Sequence, residues 1–282
     1  MNVSRELVTR NSSKPECVCV EGSVVFLSMV DIITFLTGQP VVVTLLWTIL
    51  TSRKTPDILN FHLALFHNLQ YLISLVHLCF LFLVRDEQWK VFNFLLVYAQ
   101  TGGPMSLGFI CFQRYVAVIH PTSYPLLKKH RYREACVATV WLFSLSFAVT
   151  NVLGSESIAP VAMAFFKNFP FFVMIAMTCM MVHSTIQTIR MLKKPGPESN
   201  KMNPAKRRAI NAVRATSAIT LCFYFPVTLM AKIQTTCKFA CQTAPFSFLL
   251  LSAASVVDPL CHLSTLRKLF ACCKCEEKPR RS

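Results

Sequence analysis

Charge is in short supply in this chain. Asp, Glu, Lys and Arg make up 15% of its 282 residues, and only 13 residues are acidic. A soluble domain carries about a quarter charged residues, so an ordinary globular fold is excluded. Glycine is scarce as well, at 7 residues, and proline numbers 15. Beside 23 phenylalanines, those counts exclude collagen, coiled coil and a disordered chain. Enzyme signatures are missing too: there is no nucleophile elbow, no phosphate loop and no metal-binding histidine pair on a helix. His62 and His67 stand five apart, a spacing that puts them on different helical faces. The sequence assigns no catalytic residue, no cofactor and no metal.

What the chain has instead is apolar residues, 54% of the total. They gather in seven runs, at about 24–50, 58–84, 91–119, 135–153, 162–191, 205–231 and 243–263. Each reaches the roughly 17–25 residues that cross hydrocarbon as a helix. In lipid the backbone must satisfy its own hydrogen bonds, which selects helix over strand. Pro40, Pro104, Pro170, Pro226 and Pro259 fall inside the runs, where bilayer helices tolerate them as kinks. The expected fold is an all-α membrane protein, a seven-transmembrane helix bundle. An odd span count, no internal repeat and no paired interrupted helices argue against a transporter.

The net charge of +16 would suggest nucleic acid in a soluble chain. Here most of the basic residues lie outside the apolar runs or toward their ends and no aromatic-interleaved basic face exists, so nucleic acid is not an expected partner. With the N-terminus outside, twenty of the 29 Lys+Arg fall in the inner loops and tail and eight outside. The positive-inside rule therefore sets the N-terminus out and the C-terminus in. Residues 1–23 form an extracellular tail, 24–263 the bundle and 264–282 a cytoplasmic tail. Two glycosylation sequons, at Asn2 and Asn11, both fall on the outer side. The first apolar run is too long for a signal-peptide core and serves as its own signal. The expected address is the plasma membrane, multi-pass. The basic, proline-bearing loop at 193–208 reads as a solvated link that also meets anionic membrane lipid.

Thirteen cysteines divide by location. Cys17 and Cys19 in the outer tail and Cys237 and Cys241 in the third outer loop face an oxidising compartment. They are disulfide candidates, with free thiols as the alternative. Cys272, Cys273 and Cys275 follow basic residues just inside the last span and suit palmitoylation. A zinc knuckle competes, without a second cluster of ligand spacing. The remaining six lie within spans and read as packing residues.

The inner end of span 3 reads Gln113-Arg114-Tyr115 with Pro121 downstream, and span 7 ends Asp258-Pro259-Leu260-Cys261-His262. These segments resemble the Asp-Arg-Tyr and Asp-Pro-x-x-Tyr motifs of rhodopsin-like (class A) G-protein-coupled receptors. The second is the style of the branch holding nucleotide, protease-activated and lipid receptors. Trp141, Pro170 and Pro226 stand where that family keeps its markers of spans 4, 5 and 6. Residues 60–69 echo its span 2 signature, and 266–270 look like its short amphipathic helix after span 7. The resemblance covers all seven spans. It implies a receptor in which an extracellular ligand biases a two-state bundle. Span 6 swings about Pro226, and a heterotrimeric G protein docks a helix against Arg114; arrestin is a further implied partner. Taken alone, Arg114 has a snorkelling anchor at a helix end as its alternative reading.

Departures from the family cluster on this switch. Gln113 replaces the acid beside Arg114, and Lys206 stands where many members place a second acid. Thr178 and His262 replace two tyrosines that hold the arginine in the family's active arrangement, and Tyr224 replaces the span 6 tryptophan. Pro104 and Thr220 replace an apolar pair near Pro170, and Val42 replaces the span 1 asparagine. His67 replaces the span 2 aspartate that lines a sodium site with the residue matching Asp258. One acid is a poor cation cage. Either a protonated His67 pairs with Asp258 in place of the ion, or His67 is a neutral, hydrogen-bonded histidine. Trp89 occupies the position of the family's bridging cysteine, and residues 154–167 contain no cysteine.

The amine-binding aspartate of the family corresponds to Leu96 and the retinal-linking lysine to Ser252, so neither an amine nor a photoreceptor chromophore is expected. Candidate ligand-pocket residues are Asp31, Tyr71, His77, Asn93, Gln100, Tyr224, Phe225, Lys232 and Phe248. For Asp31 a helix–helix hydrogen bond is an equal reading, and phenylalanines such as Phe225 and Phe248 are more often core than ligand platform. The ligand's chemistry stays open. Two functions compete: a G-protein-coupled receptor, and a decoy or accessory seven-span protein that keeps the fold without signalling.

Overall fold

The computed structural model describes residues 21–51, 58–83, 89–120, 122, 130–153, 160–193, 204–233 and 237–276. Apart from His120 and Thr122, all of them are helical. In chain order the elements are α1 (Glu21–Thr51), α2 (Ile58–Leu83), α3 (Trp89–Ile119), α4 (His130–Leu153), α5 (Pro160–Lys193) and α6 (Pro204–Ile219). A π-helical turn (Thr220–Tyr224) then leads into α7 (Phe225–Ile233), and α8 (Cys237–Glu276) closes the bundle. Seven stretches among the described residues are long and apolar enough to cross a membrane, the shortest being the 20 residues Pro245–Ser264. At 1.5 Å per residue that length matches the roughly 30 Å hydrocarbon core. This is an all-α, seven-helix, multi-pass membrane architecture.

The outward faces agree with a lipid solvent. On α1, Leu36, Trp47 and Leu50 are each at least 65% exposed, which water would penalise and acyl chains do not. Hydroxyls on such faces close on their own helix. Thr44 donates to the Pro40 carbonyl and Thr48 to the Thr44 carbonyl, both at 2.7 Å. A polar group with no water to meet finds the nearest carbonyl instead.

Helix α3 is the axis of the bundle. It touches α2, α4, α5, α6 and the π turn, and 56% of its span window is buried, against 22% for span 1. Helix α1 lies at the side, packed on α2 and α8. The central apolar cluster joins Leu63 of α2, Leu107 and Ile110 of α3, Met181 of α5, Ile219 of α6 and Ala254 of α8. A second cluster is aromatic. The Phe66 ring lies 4.5 Å from Trp141 between centroids, Tyr98 flanks both, and the Trp141 indole donates to His62 Nδ1 at 3.2 Å.

That packing depends on Gly102. A Cβ there would run into the ring of Phe66, which is fully buried and cannot retreat. Gly102→Ala is expected to cost about 1–3 kcal/mol by overpacking. The check is the thermal unfolding midpoint of the detergent-purified protein, and an unchanged midpoint would show the ring free to shift.

Two elements differ from expectation. The segment after span 7 is not a separate short helix: α8 runs unbroken through Ser264 to Glu276, because no glycine or proline interrupts residues 260–276. The sixth span is not one kinked α-helix either. Its backbone widens so that Phe225 N–H reaches back five residues to the Thr220 carbonyl, ahead of Pro226, which has no N–H to give. The extra residue turns both Thr220 and Tyr224 into the core.

Candidate functional site

At the end of the bundle where α3 finishes lies a cavity of about 20 Å³. Arg114 lines it from α3, Ala212, Ala215, Thr216 and Ile219 from α6, and Asp258, Cys261 and His262 from α8. Small residues on α6 leave the space. Thr216 spends its hydrogen on the Ala212 carbonyl at 2.9 Å. The α3 and α8 walls supply the charge.

Asp258 is the centre of this region. It is 1% exposed, and its Oδ2 accepts from His67 Nε2 at 3.0 Å. His67 is itself 2% exposed. Helix α2 thus brings to α8 the pair that the sequence left as an alternative. Its geometry suits a charged or a neutral imidazole equally, since either offers an Nε2 hydrogen to a carboxylate. The other oxygen, Oδ1, is buried without a hydrogen bond among the described residues, and His262 Nε2 lies 3.8 Å from it, one turn along α8. Gly103 makes room for this cluster: a Cβ there would sit 3.1 Å from the Tyr224 hydroxyl and 3.4 Å from His67 Cε1.

No family model matches this chain, and no curated protein matches it. Assignment of the site therefore rests on its own chemistry.

The structure brings together some of the switch residues picked out in the sequence and separates others. Arg114, Asp258 and His262 share the cavity, and Pro226 and Tyr224 stand on span 6 beyond Ile219. Tyr115 points elsewhere. Its ring stacks on Phe112 at 6.5 Å and meets His120 and His183 at 6.0 and 6.3 Å. Gln113 is half-buried beside Arg114 in sequence and does not line the cavity. Thr178 is buried, with its hydroxyl held by the Met174 carbonyl at 2.8 Å. Pro259 is fully buried.

The ligand-pocket candidates do not converge on one described cavity. Asn93 reaches across to α4, donating to Asn151 Oδ1 at 3.1 Å. The His77 ring packs 5.6 Å from Phe92. Tyr71 is buried against Gly38 of α1, while half-buried Asp31 stands beside Ser74. Gln100 has its Nε2 buried without a partner among the described residues, and Tyr224 is 4% exposed. Phe225 and Phe248 are half-buried. For Lys232, Cys237, Cys241, Cys272, Cys273 and Cys275 only the helical backbone is described. Asn2, Asn11, Cys17 and Cys19 lie outside the described residues. Among the described cysteines, Cys79, Cys111, Cys136, Cys179 and Cys222 are free thiols.

Sequence reading missed Thr216, Ala212 and Ala215. Their spacing (three to four residues along α6) was a small-residue face in plain view, but small residues on a membrane helix mark close packing as often as a cavity.

Proposed function

We propose that the protein is a cell-surface receptor of the rhodopsin-like kind, passing extracellular ligand binding to heterotrimeric G proteins. The observation that carries this reading is the cavity joining spans 3, 6 and 7 around Arg114, next to a span 6 whose backbone is already irregular just beyond it. An always-ionised guanidinium at the end of a membrane helix is costly unless it is used. Here it faces a gap that outward movement of span 6 would widen into a groove for a partner helix. π turns and proline are where such a helix bends at least cost. The loop charges put this end in the cytosol, and the plasma membrane follows as the site of action. Arrestin would meet the same face.

Gln113 and His262 favour a second reading, a decoy or accessory protein that keeps the bundle without coupling. A panel of G-protein activation assays on surface-expressed protein, with basal output included, separates the two. Activation of at least one G protein supports the receptor. Silence with every G protein and every candidate ligand supports the decoy.

A further inference from the structure

His62 stands in span 2 four residues from Ile58, about 6 Å of helix rise from the span's end, and is half-buried. Its one hydrogen-bond partner among the described residues is Trp141 of α4, whose Nε1–H donates to His62 Nδ1 at 3.2 Å. The rings meet edge to face, with 5.9 Å between centroids and 87° between planes. Phe66 at 4.5 Å and Tyr98 at 5.8 Å hold the indole in place.

An indole nitrogen only donates, so this bond fixes the state of the imidazole. Nδ1 must keep its lone pair, which places the ring hydrogen on Nε2 and leaves the ring neutral. A proton added to Nδ1 would set donor against donor and break the bond. No counter-charge holds such a proton. At this end of the bundle the helices packed on α2 carry Cys111, Arg114 and Tyr115 on α3 and Arg131, Tyr132, Arg133, Glu134 and Cys136 on α4, and Tyr98 flanks Trp141. Helix α1 has no titratable side chain from Ile32 to Thr51. On α2 itself the neighbour is His67, which is taken up with Asp258. None of these groups is hydrogen-bonded or ion-paired to His62 among the described residues. Nε2 is not among the buried unpartnered atoms, so the ring reaches the surface, at the end that loop charge assigns to the cytosol.

We propose that His62 is a proton-sensitive joint between spans 2 and 4, closed while the ring is neutral and released when cytosolic acid protonates it. By linkage the bond stabilises the bundle above histidine's ordinary range, near about pH 6.5, and that stability is lost as the pH falls below it. The joint needs neither ligand nor G protein, so it stands or falls apart from the receptor reading.

The experiment is thermal unfolding of the detergent-purified full-length protein at pH 8 and at pH 5. His62→Asn sets Oδ1 where histidine has Nδ1, so it accepts from Trp141 and does not titrate. At pH 8 it should unfold within about 2 °C of the parent. His62→Gln carries its polar atoms one bond further out and should fall by about 2–4 °C, the loss of one hydrogen bond. Trp141→Phe removes the donor. In the parent its loss should be smaller at pH 5 than at pH 8, by about 2 °C, and in His62→Asn it should be the same at both. A Trp141→Phe loss independent of pH in the parent overturns the joint, and so does a His62→Asn midpoint as low as that of His62→Gln. Should Trp141→Phe not accumulate, the parent and His62→Asn suffice. The parent should lose about 2 °C more between pH 8 and pH 5, and equal losses overturn the joint. His67 and His262 remain in every variant, so their titration cancels in these differences.

Discussion

On the proposed receptor reading, replacing Arg114 with Gln is expected to leave the protein in the membrane while cutting G-protein output by about tenfold or more, the cost of losing one interfacial arginine anchor. Membrane insertion is driven by the seven apolar spans, and Arg114 is half-buried at the end of one of them, so trafficking does not depend on it. Coupling does, if the cavity between spans 3, 6 and 7 is where a partner helix inserts. A lysine restores charge without the planar fork and is expected to recover only part of the output. The measurement is agonist-independent and agonist-driven activation, normalised to surface protein. Undiminished output from Arg114→Gln would remove the guanidinium from the mechanism, whatever the rest of the fold does.

Removing His67 should produce the largest loss of stability of any single change at the site. His67→Leu strands Asp258 at 1% exposure without its 3.0 Å partner. Breaking a buried pair from one side costs about 3–5 kcal/mol. The double variant His67→Leu/Asp258→Leu removes both polar groups and is expected to regain most of that loss, because the penalty belongs to the orphaned carboxylate and not to the missing contact. Thermal unfolding of the three purified proteins checks this. A double variant no more stable than the single one would mean that the pair is held for its shape alone. His67→Asp makes the complementary test. It sets a second carboxylate beside the first, as a hard cation prefers, and should make the unfolding midpoint rise with sodium where the parent's does not.

The number of helices and their positions were legible in the sequence for a simple physical reason. In hydrocarbon an unbroken apolar run has one way to satisfy its backbone, so length alone marks 58–84 or 243–263 as a span. Loop charge added an expected orientation by the same one-dimensional logic. The termination of α8 was misjudged because a helix leaving the bilayer ends at glycine, proline or a loss of packing. Neither of the first two occurs between Leu260 and Glu276, and the third is not written in the sequence.

Motif positions pointed to Arg114, Asp258, His262 and His67 and offered the His67–Asp258 pair as one alternative, but did not show that Arg114, Asp258 and His262 line one cavity. That Asp258 takes His67 on one oxygen and lines a cavity with Arg114 depends on α2, α3 and α8 converging, contacts separated by 191 residues in the case of His67 and Asp258. The ligand-pocket candidates show the converse. Chosen by depth and polarity, Asn93 is spent on Asn151 and Tyr71 is packed against Gly38. The sequence by itself determined that this chain enters a membrane seven times, because transfer free energy sums along a run of residues. Only the tertiary structure decided which buried polar groups share a cavity, because that depends on how rotation of each helix about its axis, fixed by side-chain packing, aims charges from distant segments at one another.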